Sequence, residues 1–217
     1  MGHDIPISYF KSINDSYESH MRNSSPMKLL FGQDYQNWDH QDSILSSVTP
    51  YQVSIKVAEI ASRLYPSANT LWDPFGGSGV DTVSFSKYFN TITGEVDSDM
   101  YQIMTLNIER HHDSHYVSDH YLGDATVYRP PYADLVYLDP PWGEGFRNFD
   151  NFNLMDVTLN NGNTIMSLIE NIRKEVSNNI IVKSPLKDDG QFREIWGDRV
   201  THEVHFDKFR LKFFYLH

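Results

Sequence analysis

The chain has no cysteine among its 217 residues, and its 18 lysine and arginine residues are outnumbered by 29 aspartate and glutamate residues. The first absence excludes disulfide bonds and thiolate metal ligands. The net charge of −11 disfavours long, sequence-independent contact with a nucleic-acid backbone, although it allows a ligand as short as a nucleotide. Residues 173–217 carry 9 basic and 7 acidic residues, whereas residues 1–172 carry 9 and 22. Any phosphate contact is therefore expected from the C-terminal quarter.

Long apolar runs are absent as well. No segment approaches the ~20 apolar residues of a membrane-spanning helix, and the N-terminus lacks the charged and then apolar pattern of a signal peptide. We expect a soluble, intracellular protein with no membrane partner; the sequence does not distinguish nucleus from cytoplasm. Apolar residues at 40% and aromatic residues at 14% argue against disorder.

Short apolar segments alternate with amphipathic ones, which predicts an α/β fold. Strands are expected at 70–73, 91–97, 121–122, 135–138 and 179–183, with a hairpin at 203–206 and 210–216. Helices are expected from Thr49, as N-cap, to 64, and at 80–88, 100–110 and 163–176. The pattern predicts a Rossmann-like, mostly parallel seven-stranded sheet with an antiparallel C-terminal hairpin that adds an edge strand. In such a sheet the ligand lies at the carboxyl ends of the strands.

The first predicted strand runs into a glycine-rich turn. Gly76, Gly77 and Gly79 lack a Cβ, so the backbone can turn sharply and approach a ligand closely. The following helix would direct backbone N–H groups at a ligand carboxylate, and Asp73 would face a positively charged amino group. No Gly-Lys-Ser/Thr follows the turn, which excludes the P-loop pattern. Dinucleotide-binding proteins have similar turns, so this feature alone indicates only a cofactor site.

The strand at 135–138 ends in Asp139-Pro140-Pro141-Trp142. Consecutive prolines fix φ and remove two N–H donors, so the Pro140 carbonyl and the Asp139 carboxylate can point at one spot as paired acceptors. An exocyclic amine of a nucleobase is a poor nucleophile because its lone pair is delocalised into the ring. Two acceptors that hold its hydrogens would redirect the lone pair, while Trp142 stacks on the base. With the glycine turn, this motif predicts amine methylation with S-adenosylmethionine as cofactor.

Carboxylates also follow the neighbouring strands. Glu95 or Asp97 would hold both ribose hydroxyls of the cofactor, and the residues leave that choice open. Asp124, with the N–H of Ala125, would bind the adenine edge. Histidines at 111, 112, 115 and 120 lie in a polar loop without the i, i+4 spacing of a zinc pair, and we expect no metal site.

Beyond these motifs, the chain resembles the trimethylguanosine synthase family, the RNA-cap guanine 2-amino methyltransferases, over about residues 27–217. The matching segments are Ser47-Val48-Thr49-Pro50, the Asp73, Phe75, Gly77 and Gly79 positions of an Asp-x-Phe-x-Gly-x-Gly turn, Asp139-Pro140-Pro141-Trp142-Gly143, Phe152-Asn153-Leu154, Asn178-Asn179-Ile180-Ile181 and Ser184-Pro185-Leu186-Lys187. The resemblance implies a methyltransferase domain at 48–217. Residues 1–47, which lack a clean period, would form a helical or irregular extension over the pocket.

The resemblance also implies roles. Thr49 would help to hold the cofactor, Trp142 would stack on 7-methylguanine, and the partner would be 7-methylguanosine-capped RNA or a cap nucleotide. Three departures bear on this: Asp139 replaces the family's serine, Glu144 its second glycine, and Leu186-Lys187 its Arg-Asn. The last change leaves Lys183 or Lys187 to contact phosphate.

The sequence is thus compatible with three functions. The first is transfer of methyl to the 2-amino group of a 7-methylguanosine cap. It is favoured because the glycine turn precedes the Asp-Pro-Pro-Trp motif, whereas adenine methyltransferases with that motif often have the opposite order. The second is methylation of an adenine amine in RNA or DNA, for which aspartate is the expected residue at position 139. The third is a catalytically silent subunit that binds a partner, which the intact carboxylates and Asp-Pro-Pro-Trp motif disfavour.

Overall fold

The computed structural model describes residues 26–42, 45, 47–111, 116–130, 132–142, 154–159, 161–185 and 190–217. Its strands are β1 (Thr70–Asp73), β2 (Asn90–Glu95), β3 (Val117–Leu122), β4 (Leu135–Leu138), β5 (Ile180–Pro185), β6 (Val200–Phe206) and β7 (Leu211–Leu216). Its helices are α1 (Pro26–Phe31), α2 (Tyr51–Leu64), α3 (Val80–Phe85), α4 (Ser98–Arg110), α5 (Ile165–Glu175) and α6 (Gln191–Trp196). None of the helices in the described part of the chain is long and apolar enough to cross a membrane.

The strands form one sheet in the order β3-β2-β1-β4-β5-β7-β6. Strands β1 to β5 pair in parallel, and β7 runs antiparallel to both of its neighbours. The predicted α/β fold with an antiparallel C-terminal hairpin is confirmed. Within the hairpin, β7 lies inside the sheet, because it pairs with β5 along six residues, and β6 forms the edge.

Both faces of the central strands β1, β4 and β5 are buried, as expected of parallel strands. Side chains alternate between the faces, so Leu71 of β1 packs with Leu135 and Tyr137 of β4 against α2, whereas Trp72 packs with Val136 against α5 and α6. The same alternation places the side chains that follow in sequence. It puts Asp73 of β1, Asp139 after β4 and Lys183 of β5 on the α2 face, at the carboxyl ends of three adjacent strands.

The predicted helices are found, with shifted ends. In α5 the apolar positions 165, 168, 169 and 172 are all buried, as their spacing predicts. Helix α3 ends at Phe85 instead of position 88. The N-cap of α2 is Pro50, and the hydroxyl of Thr49 does not cap that helix.

The described N-terminal residues pack against the helices that follow the glycine turn. Phe31 and Trp38 join a cluster with Val83 of α3 and with Met104 and Ile108 of α4. Residues 1–25 lie outside the described part, so the extension over the pocket stays a prediction.

Candidate active site

The floor of the candidate site is formed by the adjacent, parallel strands β1 and β4, with Leu71 opposite Leu135 and Trp72 opposite Val136. Asp73 is the last residue of β1, and Asp139 follows β4 directly. The sheet therefore brings the two sequence motifs to one edge, as predicted.

Asp73 is fully buried. Its Oδ2 accepts a hydrogen bond from Thr82 Oγ1 at 2.7 Å, and its Oδ1 accepts one from the Phe75 N–H at 3.4 Å. Burial raises the pKa of Asp73 to about 8; the Thr82 hydrogen bond opposes this rise, and the nearby carboxylates Asp81 and Asp139 add to it. A cation placed beside Asp73 would favour its ionised form. The Asp73 carboxyl group would therefore be stabilised in its ionised form by a positively charged ligand.

The glycine turn needs its glycines for different reasons. A Cβ at Gly76 would lie 2.2 Å from Met104 Sδ and 2.6 Å from Thr93 Oγ1, so no side chain fits there. Gly77 and Gly79 have φ angles of +52° and +86°, which residues other than glycine rarely adopt. A Cβ at Gly77 would meet only the Phe75 carbonyl, at 3.9 Å, so the space above this residue is open within the described residues.

Asp81, in the first turn of α3, was not singled out by the sequence. Its Oδ2 accepts a hydrogen bond from Thr49 Oγ1 at 2.8 Å, and its Oδ1 accepts one from Ser54 Oγ at 2.5 Å. The Thr49 hydroxyl is thus directed at Asp81, which explains why it does not cap α2. The one signal in the sequence was a carboxylate inside the otherwise uncharged segment Val80–Phe85.

Asp139 is paired with Lys183. Lys183 Nζ lies 2.6 Å from Asp139 Oδ2 and 2.9 Å from the Ser47 carbonyl oxygen, and the lysine side chain is wholly buried. Burial raises the pKa of Asp139, the ammonium of Lys183 opposes that rise, and Asp81 adds to it. A buried ammonium bound to a carboxylate is poorly placed to contact a substrate phosphate. The prediction of Lys183 as a phosphate contact is therefore corrected, and Lys187 lies outside the described residues.

The rest of the Asp-Pro-Pro-Trp motif is divided between core and surface. Pro140 is buried and Pro141 is exposed. Trp142 is 3% exposed and belongs to the apolar cluster that contains Trp72 and Val136. In this conformation the indole is a core side chain and offers no open face for a base, which differs from the predicted stacking role. Residues 143–153, which follow it, lie outside the described part.

Glu95, and not Asp97, lies against the glycine turn. Glu95 Oε2 accepts the N–H of Gly77 at 2.9 Å, while its Oε1 accepts the N–H groups of Val96 and Asp97. Asp97 caps α4, since its Oδ1 accepts the N–H groups of residues 99 and 100. The cap accounts for Asp97 without a ligand, so Glu95 is the better candidate for the ribose hydroxyls.

Asp124 is held in a turn beyond β3. Its Oδ1 accepts both the N–H and the hydroxyl of Thr126, and its Oδ2 accepts a hydrogen bond from Asn161 at 3.0 Å. Ala125 is buried next to it. The structure places these residues at the same edge of the sheet as Glu95, because Glu95 is paired with Leu122 at the end of β3.

Tyr121 of β3 is a second residue that the sequence did not indicate. Its ring covers the backbone of Gly94, where a Cβ would lie 2.3 Å from the tyrosine Cζ. Its hydroxyl accepts a hydrogen bond from Trp72 Nε1 at 3.0 Å, and its ring centroid lies 3.8 Å from that of Tyr128. The two tyrosines form an aromatic wall beside the ends of β2 and β3.

Among the described residues, no group of three or more histidine, aspartate or glutamate side chains could hold a metal ion.

Comparison with known proteins shows the fold more firmly than the family. No protein-family model matches the chain. Over 117 residues the chain is 28% identical to trimethylguanosine synthase of Schizosaccharomyces pombe, a match that covers 51% of this chain and 45% of that protein. The match thus spans less than half the length of this curated relative.

Solved structures extend the likeness to almost the whole chain. A proposed O-methyltransferase from Klebsiella pneumoniae superposes with a TM-score of 0.55 at 13% identity, covering 96% of this chain and 98% of that one. The Pyrococcus abyssi tRNA (uracil-54, C5)-methyltransferase, in complex with S-adenosyl-L-homocysteine, gives 0.54 at 13% identity, covering 77% of this chain and 38% of that one. The chain therefore has the Rossmann-like fold of S-adenosylmethionine-dependent methyltransferases.

Proposed function

We propose that the protein is an S-adenosylmethionine-dependent methyltransferase that acts on an exocyclic amino group of a nucleobase. The observation that carries this proposal is the position of Asp139, which follows β4 beside the buried carboxyl group and glycine turn at the end of β1. A cofactor site and a pair of acceptors for an amine thus lie on neighbouring strands.

The residues present fit S-adenosylmethionine. Asp73 would face the ammonium of its methionine part, the open space over Gly77 would admit the ligand, and Glu95 would bind ribose hydroxyls. Asp124, with the N–H of Ala125, would bind the adenine. When bound, this cofactor supplies a methyl group on a sulfonium, which an amine nitrogen can attack.

The chain's own contribution to the reaction lies at Asp139 and Pro140. Two acceptors that hold the amine hydrogens would draw the nitrogen lone pair out of conjugation and direct it away from them. The Asp139 carboxylate could then take the proton that the nitrogen loses as its new bond to carbon forms. Because this contact is strongest as the nitrogen attacks, it should affect turnover more than binding.

As substrate we propose the 2-amino group of a 7-methylguanosine cap. The proposal rests on the match to trimethylguanosine synthase and on the motif order described above. A methylation of adenine amines remains the second candidate, because Asp139 stands where the cap enzymes have serine. In this conformation Trp142 and Lys183 are both buried. Neither the base stacking proposed for Trp142 nor the phosphate contact proposed for Lys183 is therefore available to a cap.

Methyl transfer from labelled S-adenosylmethionine to a panel of acceptors tests the proposal. The panel contains 7-methyl-GTP, GTP, capped RNA and adenine-containing oligonucleotides, and mass spectrometry locates the methyl group. Methylation of the capped substrates at the 2-amino group supports the first proposal, whereas methylation of adenine alone replaces it with the second. Cofactor binding without any transfer would indicate a silent subunit.

Two variants make the assay sharper. Asp139→Asn keeps the shape of the side chain but loses its charge, and should lower kcat with little effect on cofactor affinity. Asp139→Ser should keep appreciable activity in a cap enzyme, since serine is that family's residue, and almost none in an adenine enzyme. Loss of all cap methylation in the serine variant counts against the cap.

A further inference from the structure

A lysine lies in the interior directly behind the proposed acceptor carboxylate. The Lys183 side chain has no exposed surface, and its ammonium contacts Asp139 Oδ2 at 2.6 Å and the carbonyl oxygen of Ser47 at 2.9 Å. Taking an ammonium out of water is unfavourable, and this cost is offset only where the ammonium is paired and hydrogen-bonded. The position is therefore not explained by packing of the lysine stem alone.

The other ionisable side chains around Asp139 are acidic, although the neighbouring Trp142 side chain, like Lys183, lowers the pKa of Asp139. Asp73 faces this region from the end of β1, Asp81 from α3 and the Tyr137 hydroxyl from β4. The charge of Asp81 raises the pKa values of Asp73, Tyr137 and Asp139. The neutral hydroxyls of Thr49 and Ser54 are already directed at Asp81. Among the groups that influence Asp139, Lys183 is the cation, and it approaches from β5.

We propose that Lys183 is the positioning residue for Asp139: its buried ammonium holds the carboxylate ionised and fixes its direction, so that Asp139 can accept a hydrogen of the substrate amine. This inference rests on the proposed function. A protonated Asp139 would carry a hydrogen on one oxygen and could not serve as a full acceptor. Without the ammonium, burial and the neighbouring carboxylates all favour that protonated form.

The pairing also explains how this chain can carry aspartate at position 139 in a site surrounded by acidic groups. Lys183 and Asp139 would act as one unit, with the Ser47 carbonyl fixing the ammonium from the other side. Ser47 belongs to the short segment that leads into α2, two residues before Thr49. The contact between Lys183 and the Ser47 carbonyl therefore connects this segment to the Asp139 carboxylate.

Two variants separate charge from shape. Lys183→Gln removes the charge but keeps an N–H donor, one bond nearer to the backbone, and Lys183→Met keeps an apolar stem of similar length. As a matched control, Lys212→Met removes another buried lysine, on β7, whose ammonium lies 3.3 Å from Glu203. Circular dichroism and thermal unfolding establish which variants are folded.

The first measurement does not depend on activity. Carbon-13 NMR of aspartate-labelled protein, with the Asp139 signal identified by its loss in Asp139→Asn, gives the pKa of this carboxyl group. An opposite charge this close lowers a carboxyl pKa by ~1–3 units, so the pKa of Asp139 should rise by that amount in Lys183→Gln and stay unchanged in Lys212→Met. An unchanged pKa of Asp139 in a folded Lys183→Gln protein overturns the proposal.

The second measurement is the pH dependence of kcat/KM on whichever acceptor the panel identifies. If activity needs an ionised Asp139, the acid limb of the profile should move to higher pH by ~1–3 units in both Lys183 variants. Because the pKa of Asp139 in the wild type is about 6, activity at pH 7 should then fall roughly 2-fold for a shift of one unit and roughly 100-fold for a shift of three, and it should recover as the pH is raised. A uniform loss at all pH values would show that Lys183 is structural and would refute the positioning role.

Failure of this inference is distinguishable from failure of the proposed function. A wild-type protein that methylates no acceptor contradicts the proposed function, while the NMR titration still decides the effect of Lys183 on Asp139. An active wild type whose acid limb is unchanged in the Lys183 variants contradicts the inference and leaves the function standing.

Discussion

The side-chain amide of Asn107 donates a hydrogen bond to the carbonyl oxygen of Ser78 at 2.9 Å, which ties helix α4 to the glycine turn. The same amide donates to the Asp39 carbonyl at 2.8 Å, and its oxygen accepts the Asp39 N–H at 2.8 Å. One fully buried side chain therefore joins the N-terminal segment, α4 and the proposed cofactor site.

Asn107→Leu should destabilise the protein and weaken cofactor binding. The change removes three hydrogen bonds, one buried and two part-buried, and leaves their backbone partners unsatisfied, at a cost of about 2–5 kcal/mol. Chemical denaturation measures this cost, and a titration with S-adenosylmethionine measures the affinity. Gln102→Leu, an amide-to-leucine change at an exposed position of the same helix, should leave both nearly unchanged. Equal behaviour of the two variants would show that the link has no energetic role.

The buried carboxyl group of Asp73 should make stability depend on pH. Its pKa is raised from 3.8 to about 8, so the folded protein keeps a proton that the unfolded chain releases. This contribution is fully present below about pH 4 and is lost as the pH rises towards 8, by up to ~1.4 kcal/mol per pH unit. Asp73→Asn cannot titrate. The free energy of unfolding of wild type relative to Asp73→Asn should thus fall by roughly 2–3 kcal/mol between pH 5.5 and 7.5, and a constant difference would contradict the raised pKa.

Gly77→Val should lower the affinity for S-adenosylmethionine at least ~10-fold, or about 1.4 kcal/mol. The valine side chain would enter the open space above the turn, and the valine backbone would have to adopt an unfavourable positive φ. Gly197→Val is the matched control, because Gly197 has the same φ of +52° and its Cβ would also meet open space, but it lies at the end of α6. Both variants should lose similar stability, and only the first should lose affinity. Unchanged affinity for S-adenosylmethionine in a folded Gly77→Val protein would contradict the assignment of the cofactor site to the glycine turn.

Trp142 provides a test of cap recognition against a purely structural role. A cap enzyme should bind 7-methyl-GTP at least ~10-fold more tightly than GTP, because a tryptophan face attracts the cationic 7-methylguanine. Trp142 and Trp196 are both buried in the same apolar cluster, so alanine at either position should cost about 3–5 kcal/mol of stability. If Trp142 becomes exposed to meet the base, Trp142→Phe should reduce the preference for 7-methyl-GTP, and Trp196→Phe should not. Equal affinity of the wild type for both nucleotides would refute the cap proposal.

Much of the fold could be predicted because its signals are local. The spacing of residues 165, 168, 169 and 172 placed α5, and the alternation of strands and helices indicated the parallel sheet. The position of β7 inside the sheet was not predictable from the sequence, since either strand of the hairpin could have paired with β5 and left the other as the outermost strand. Pairing between β5 and β7, which join residues about 30 positions apart, decided it.

The candidate site divides in the same way. Glycines at 76, 77 and 79 and the prolines after Asp139 restrict the backbone by their own covalent structure, so the sequence by itself determined where the chain turns and which two strand ends bear the site. Tertiary structure alone decided the partners: Lys183 for Asp139, Thr49 for Asp81, and Asn107 for the glycine turn. These contacts join residues 44, 32 and 29 positions apart. The first exists because the strand order and the alternation of side chains bring charged groups from separate strands to one buried face. In all three, a buried polar group has found its partner in a distant segment.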